Sequence, residues 1–150
     1  MSKHDENTGG DDNRGMAQTL ARARAAVEAL ARDYINWARA DIDACQKCLD
    51  QAVAQPDQRE THIRTLFAVA HNIKGQGTSF GYPLMTRIGQ SLCHLTRTGR
   101  PFADGDLSLI AAHLAALRQV LEKTRPGDDN AGTEALAAEL EERVARAEAG

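Results

Sequence analysis

Residues 70–81 read AHNIKGQGTSFG, and they continue a helical pattern that begins several residues earlier. Apolar residues recur there at steps of three and four, which is the period of an α-helix. They are Ile63, Leu66, Phe67, Ala70, Ile73 and Gly77. At about 100° per residue these positions share one side of the helix, and His71 falls at the edge of that side. The pattern predicts an amphipathic helix whose histidine ring lies at the border between core and water.

The surface neighbours of His71 on this helix lie three, four and seven residues further on. They are Lys74, Gly75 and Thr78: a cation, a residue without a side chain and a small hydroxyl. A glycine inside a helix costs about 0.5–1 kcal/mol relative to alanine, so each glycine needs a reason. We interpret Gly75 as room for a bulky partner to reach the imidazole. Gly77 lies on the inner side, where close helix packing explains it.

The string His71-x-x-Lys74-Gly75, with Gly81 ten residues after the histidine, resembles the signature of histidine-containing phosphotransfer (HPt) domains. In that family the histidine accepts a phosphoryl group from an aspartate of a receiver domain and passes it on in two-component signalling. The resemblance implies that His71 is the phosphoacceptor and that Lys74 stabilises the phosphoryl group. It also implies partners, namely receiver domains of a hybrid histidine kinase or of a response regulator. Mg²⁺ is expected on the receiver only, so this chain itself needs no cofactor.

The chemistry of a phosphoryl carrier on nitrogen fits these residues. The carrier needs a neutral, accessible imidazole and nearby positive charge for the phosphoryl oxygens. Lys74 supplies such a charge one turn from His71, and Thr78 is a candidate hydroxyl donor. Arg64 and Arg87 are candidates for contact with the acidic rim of a receiver. We therefore assign Gly75, Thr78, Arg64 and Arg87 to partner docking.

The fold is predicted to be all-α, because helical periods recur along the chain and no useful β-branched alternating run occurs. The expected architecture is an antiparallel four-helix bundle with an extra N-terminal helical segment and a C-terminal helix. Gly81 is expected to end the helix of His71 in a left-handed conformation. By range, we expect a disordered arm at residues 1–15, the HPt bundle at 16–125, a linker at 126–132 and an amphipathic helix at 133–150.

Within the bundle, helices are predicted from Asp33 to Val53, from residue 59 or 60 to about 80, and from Pro83 to about 98. A fourth helix is expected to follow a cap at Asp104 or Asp106.

Composition limits the range of possible partners. The 150-residue chain has a net charge of −3 and no long basic run, so nucleic acid is not expected to bind. No apolar stretch approaches the roughly 18–20 residues of a membrane span, and the polar N-terminus is unlike a secretory signal. We expect a cytoplasmic monomer.

The cysteines are the other motif that needs an interpretation. Cys45 and Cys48 form a Cys-x-x-Cys inside a predicted helix, and only Cys93 remains. A zinc site needs four ligands, and no second pair exists. We interpret Cys45 and Cys48 as small core or near-core residues of one amphipathic face and expect no metal site.

Two other functions remain open. The chain is alternatively an α-helical adaptor that binds its partner without phosphorylation. It is alternatively the dimerisation and histidine segment of a sensor kinase, but those segments usually carry an acidic residue directly after the histidine, where this chain has Asn72. Since no Gly-rich phosphate loop is present, we expect a phosphocarrier without its own ATP site rather than an enzyme.

Overall fold

The computed structural model describes residues 2–97, 99–125 and 131–149, and in these ranges it contains helices and no strand. The five α-helices are α1 (Ser2–Ala54), α2 (Arg59–Gly77), α3 (Pro83–Thr96), α4 (Asp104–Lys123) and α5 (Ala131–Ala149). Short 3-10 helices cover Pro56–Gln58 and Thr78–Phe80. The all-α prediction is confirmed.

The first unit, residues 1–34, differs from the expectation. The structure has residues 2–15 as the first turns of α1 rather than as a disordered arm, and α1 continues without a break through the boundary predicted at Asp33. No proline precedes Pro56, and the segment from Met16 onward is rich in Ala, Leu and Arg, which favour helix. Side chains from residue 10 to residue 28 are exposed.

The second unit, residues 35–150, holds the core, in which one side of each helix is buried. α5 packs against α3 and α4, and α2 packs against α3. The buried apolar residues include Ala38, Ile42, Cys45, Leu49 and Ala52 of α1; Ile63, Leu66, Ala70 and Ile73 of α2; Met85, Ile88, Leu92 and Leu95 of α3; Leu107, Ile110, Leu114, Leu117 and Leu121 of α4; and Ala137, Leu140 and Val144 of α5.

The inner side predicted for α2 agrees with this core, with Phe67 half-buried at its edge. In the first turn of α3, Met85 is buried and Leu84 is half-buried. The C-terminal helix is a docked part of the unit and begins at Ala131, two residues before the predicted start. The rest of the predicted linker, residues 126–130, lies outside the described residues.

The turn between α2 and α3 is built by a left-handed glycine. Gly81 has φ 86°, its N–H donates to the Thr78 carbonyl at 3.1 Å, and the Tyr82 N–H donates to the Gly77 carbonyl at 2.9 Å. This pair of bonds is the Schellman arrangement that closes a helix end. It directs the chain back into α3, which Pro83 opens, so the prediction for Gly81 is confirmed.

The start of α4 is capped from inside the helix. Asp106 accepts the Ala103 N–H at 2.8 Å, and its two oxygens also accept from Arg100 at 2.9 and 3.1 Å. Asp104, the other predicted cap, instead lies 3.1 Å from the Arg59 guanidinium.

The three cysteines are free and buried, and for Cys45 and Cys48 this agrees with the interpretation from the sequence. Burial raises the pKa of the Cys45 thiol to about 12 and also raises the pKa values of Cys48 and Cys93. Because the thiolate is the reactive form, these side chains act as small apolar groups.

A buried histidine joins α3 to α4. His113 is fully buried, and its Nδ1 lies 2.7 Å from the Leu109 carbonyl, which can only accept. Nδ1 therefore carries the proton, and Nε2 accepts from the Ser91 hydroxyl at 2.8 Å. Burial lowers the pKa of His113, the Leu109 bond opposes this, and Arg143 adds to the lowering. The neutral ring satisfies two polar groups inside the core.

This histidine should make stability depend on pH. Since its pKa is lowered in the folded state, the unfolded chain takes up the proton first, from about pH 6.5 downward. As the pH is lowered, this proton should reduce the free energy of unfolding by at most about 1.4 kcal/mol per pH unit, until the pH falls below the pKa of the folded state. Urea titrations across this range, on wild type and His113→Gln, measure the effect. Equal slopes in the two proteins would contradict it.

Two glycines near the end of α2 have opposite surroundings. A Cβ on Gly77 would lie 2.6 Å from Thr86 Oγ1 and 2.8 Å from the Tyr82 carbonyl oxygen. A Cβ on Gly75 would meet no atom within 4 Å. Gly77 therefore permits helix packing, as predicted, and packing gives no reason for Gly75.

Alanine substitutions should separate the two positions. Gly77→Ala forces backbone movement and should lower the free energy of unfolding by about 1–3 kcal/mol. Gly75→Ala is the matched control and should raise it by up to about 1 kcal/mol, because alanine favours helix. Urea denaturation of both variants tests this, and equal effects would show that the contact at Gly77 does not matter.

Candidate functional site

The imidazole of His71 is exposed on α2 between two buried residues, Ala70 and Ile73. One turn earlier lies the half-buried ring of Phe67, with its centroid 6.3 Å from that of the imidazole and an interplanar angle of 49°. Within residues 2–97, 99–125 and 131–149, no hydrogen bond or ion pair to the His71 ring is present. The exposed imidazole is therefore not engaged by any of the described residues through a hydrogen bond or ion pair.

Lys74 is half-buried because α3 lies against the backbone beneath it. A Cβ on Gly89 of α3 would be 3.0 Å from the Lys74 nitrogen and 3.1 Å from its Cα. The Lys74 charge acts on Cys93, where it partly offsets the rise in pKa that burial causes. In the part of the chain that the structure describes, no carboxylate pairs with Lys74.

Gly89 is a site residue that the sequence analysis missed. The available signal was a glycine inside a strongly apolar helix, one residue after the core residue Ile88. Its meaning depends on which helix packs against α3, and the spacing within α3 does not show that.

Thr78 is part of a polar clamp between the end of α2 and α3. Its hydroxyl donates to Thr86 Oγ1 at 3.0 Å, and its N–H donates to the same oxygen at 2.8 Å. The structure thus gives Thr78 a contact within the chain, and its role toward a partner stays a prediction. Thr86 was not identified as a site residue from the sequence.

An aromatic contact lies at the end of the same segment. The half-exposed ring of Trp37 packs edge-on against Phe80, with centroids 6.1 Å apart and an interplanar angle of 80°.

Arg64 lies two turns before His71 and borders a groove. Its exposed guanidinium is 3.7 Å from Glu60. The groove has a volume of about 310 Å³ and runs between α2, the end of α3 and the loop before α4. Its lining residues are Glu60, Arg64, Phe67, Thr96, Arg97, Gly99 and Phe102. Arg64 and Phe67 place the groove next to the His71 ring, and the groove contains more cationic than anionic groups.

Arg87 has a different position from the one its docking assignment implies. Its guanidinium donates to Glu141 of α5 at 2.7–3.1 Å and lies 3.9 Å from Glu134. The bond with Glu141 raises the pKa of Arg87 and lowers the pKa of that carboxyl. Arg87 therefore fastens α5 to α3. The two glutamates are seven residues apart, which puts them on one side of α5.

Metal ligands and membrane-spanning segments were searched for in the same ranges. No group of three or more His, Cys, Asp or Glu side chains in the described residues could hold a metal ion. None of the described helices combines the length and the apolar character needed to cross a bilayer.

Comparison with known proteins gives one result that covers most of the chain. A family model described as "Hpt domain" matches residues 16–150, a range that includes α2 with His71 and extends through α5. No match was found among curated proteins or among solved structures. The helical bundle agrees with the fold of that family. The match confirms the resemblance inferred from the His71 motif, and the chain belongs to the Hpt domain family.

Proposed function

We propose that this chain is a phosphorelay intermediate that accepts a phosphoryl group on His71 from the phosphoaspartate of a receiver domain and passes it to another receiver. Hpt domains serve histidine phosphotransfer and are phosphocarrier modules rather than catalysts. The observation that carries the assignment to His71 is its exposed ring, which lies beside the open surface of Gly75 and the half-buried Lys74.

The transfer exchanges one bond to phosphorus for another. A ring nitrogen of neutral His71 attacks the phosphorus in line, the N–P bond forms, and the bond from phosphorus to the aspartate oxygen breaks. The aspartate leaves as a carboxylate, and the ring nitrogen that did not attack releases its proton to water. In the onward step a carboxylate of the next receiver attacks phosphorus, the N–P bond breaks, and the imidazole takes up a proton.

Lys74 supports both steps by charge. Phosphoryl transfer spreads negative charge over the three equatorial oxygens, and catalysis consists largely of positioning and charge stabilisation. The Lys74 ammonium lies one helical turn from His71 and is not neutralised by a carboxylate in the described residues. The Mg²⁺ that assists such transfers is expected from the receiver, in keeping with the partners proposed here.

The surface around His71 offers two kinds of contact to a receiver. On one side, Gly75 leaves the backbone open over at least 4 Å. On the other, the groove bordered by Arg64, Phe67 and Arg97 offers cationic and aromatic groups. A receiver domain with an acidic rim around its aspartate fits this pattern. Such a relay between receivers is expected to operate in the cytoplasm.

Phosphotransfer from labelled receiver domains tests the role of His71. Wild type should gain acid-labile label from at least one member of a panel of phosphorylated receivers, and His71→Gln should gain none. His62→Gln is the matched control, since His62 lies on the same helix and bonds to Gln55 at 2.6 Å. It should be labelled like wild type.

Label that persists in His71→Gln would exclude His71 as the acceptor. If no receiver labels wild type, and a receiver binds wild type and His71→Gln equally, the adaptor function replaces the relay.

The open surface at Gly75 gives a second test. Gly75→Gln adds a long side chain at an exposed position where a Cβ meets no atom within 4 Å, so the fold should keep its stability while a receiver is kept away from His71. We expect transfer at least about 10-fold slower, which corresponds to about 1.4 kcal/mol. A small phosphodonor such as acetyl phosphate, which needs less room, should be affected less. Unchanged transfer from receivers would show that Gly75 does not serve access.

A further inference from the structure

An open groove runs between α1 and α4 in the second unit. On each helix its lining residues fall at positions i, i+3, i+4 and i+7, from Gln46 to Val53 on α1 and from Asp104 to Ala111 on α4. The groove therefore follows the two helices for about two turns, or roughly 10 Å. Its volume is about 610 Å³, and it is called the α1–α4 groove below.

The α1–α4 groove has an apolar floor and low walls. Leu49 and Leu107 line it and are buried, whereas Val53 on the α1 wall is 58% exposed. On the α4 wall, Ser108 and Ala111 are small and exposed. The distance between packed helices depends on the side chains at their contact, so this wall lets the backbone of a further helix approach closely.

The geometry of the groove favours a helix as its occupant. An amphipathic helix docks into an apolar groove through side chains at i, i+3, i+4 and i+7, and both walls here have that period. An extended peptide adds to the edge of a sheet instead, and no strand occurs in the part of the chain that the structure describes. At the Gln46 end, Arg118 bridges the two walls, donating to Gln46 at 3.2 Å and lying 3.7 Å from Asp43.

The charges at the rim favour a cationic occupant. Asp50 is exposed, accepts from the Gln46 amide at 2.9 Å and forms no ion pair with any described residue. The Asp104 side chain is 95% exposed. Arg59, also at the rim, is only 17% exposed and already donates to Asp104 at 3.1 Å and to the Phe102 carbonyl at 3.0 Å. The rim therefore has an excess of negative charge, which steers a partner of opposite charge.

We propose that the α1–α4 groove binds a basic amphipathic helix of another protein. Its apolar side chains lie between Val53 and Ala111, and its lysine or arginine side chains face Asp50 and Asp104. The groove is separate from the phosphoryl site, because Arg59, its lining residue from α2, lies twelve residues before His71, about 18 Å along the helix. The proposal does not depend on phosphotransfer.

Fluorescence anisotropy on the full chain tests the proposal. The probe is a labelled synthetic peptide of about 18 residues, long enough to form a helix, with leucine at i, i+3, i+4 and i+7 and lysine elsewhere. It should bind with a Kd of about 1–100 µM. The same peptide with glutamate in place of lysine should bind at least about 10-fold more weakly. His71→Gln should bind the lysine peptide as wild type does, whether or not the chain carries phosphoryl groups.

Two variants of the groove have matched controls at exposed positions of α5. Asp50→Lys should weaken binding of the lysine peptide by at least about 10-fold, and Glu139→Lys makes the same charge change outside the groove. Ala111→Gln fills the groove with a side chain that favours helix, and it should also weaken binding by at least about 10-fold. Ala138→Gln is its control. Both controls should change the Kd by no more than about 2-fold.

Absence of binding up to about 1 mM lysine peptide would overturn the proposal. If the groove variants and their controls had equal effects, the peptide would be held by general charge attraction and the site would be wrong. A wild type that sediments as a dimer, and returns to the monomer mass of 16.2 kDa in Ala111→Gln, would show that a second copy of the chain fills the groove instead.

Discussion

The close approach of α3 to the end of α2 is the constraint on which the site depends. Gly77 lies so close to Thr86 and the Tyr82 carbonyl that a methyl group would not fit between them. Gly89 lies close to the backbone of Lys74. Backbone contacts of this kind hold position better than contacts between flexible side chains, because a packed interior resists small displacements. The helix that presents His71 therefore has little freedom to tilt. A rigid donor surface is useful when the reaction partner is another protein that must align a phosphorus atom with a ring nitrogen.

Much of the site could be predicted because it lies within one helix. His71, Lys74, Gly75 and Thr78 are related by the helical period, so their proximity follows from numbering alone. The buried sides of the helices and the ends at Gly81 and Pro83 follow from the same local rules. The site features that the sequence did not predict have a common cause. Gly89, Thr86 and the partners of Arg87 are set by which helices meet, and a period within one helix carries no information about its neighbours.

The continuous helix in the first unit shows a different limit. The composition of the acidic, glycine-containing segment at residues 2–15 predicts disorder, and Asp33 is predicted to start a helix. In the structure α1 passes through both. Leu20 and the side chains around it in the first unit are exposed. α5 illustrates the reverse case, in which a thin apolar stripe is supported by contacts with α3 and α4. Residues that favour helix account for the exposed part of α1, whereas packing accounts for α5.

Trp37, the single tryptophan of the chain, packs against Phe80 at the end of the helix that carries His71. The indole is half in water, so its emission is sensitive to local polarity and to the position of the neighbouring ring. Any rearrangement of the turn after α2 changes that environment. The molecule thus contains a native optical reporter at the turn that follows α2, and a rearrangement of that turn becomes visible without attaching a dye.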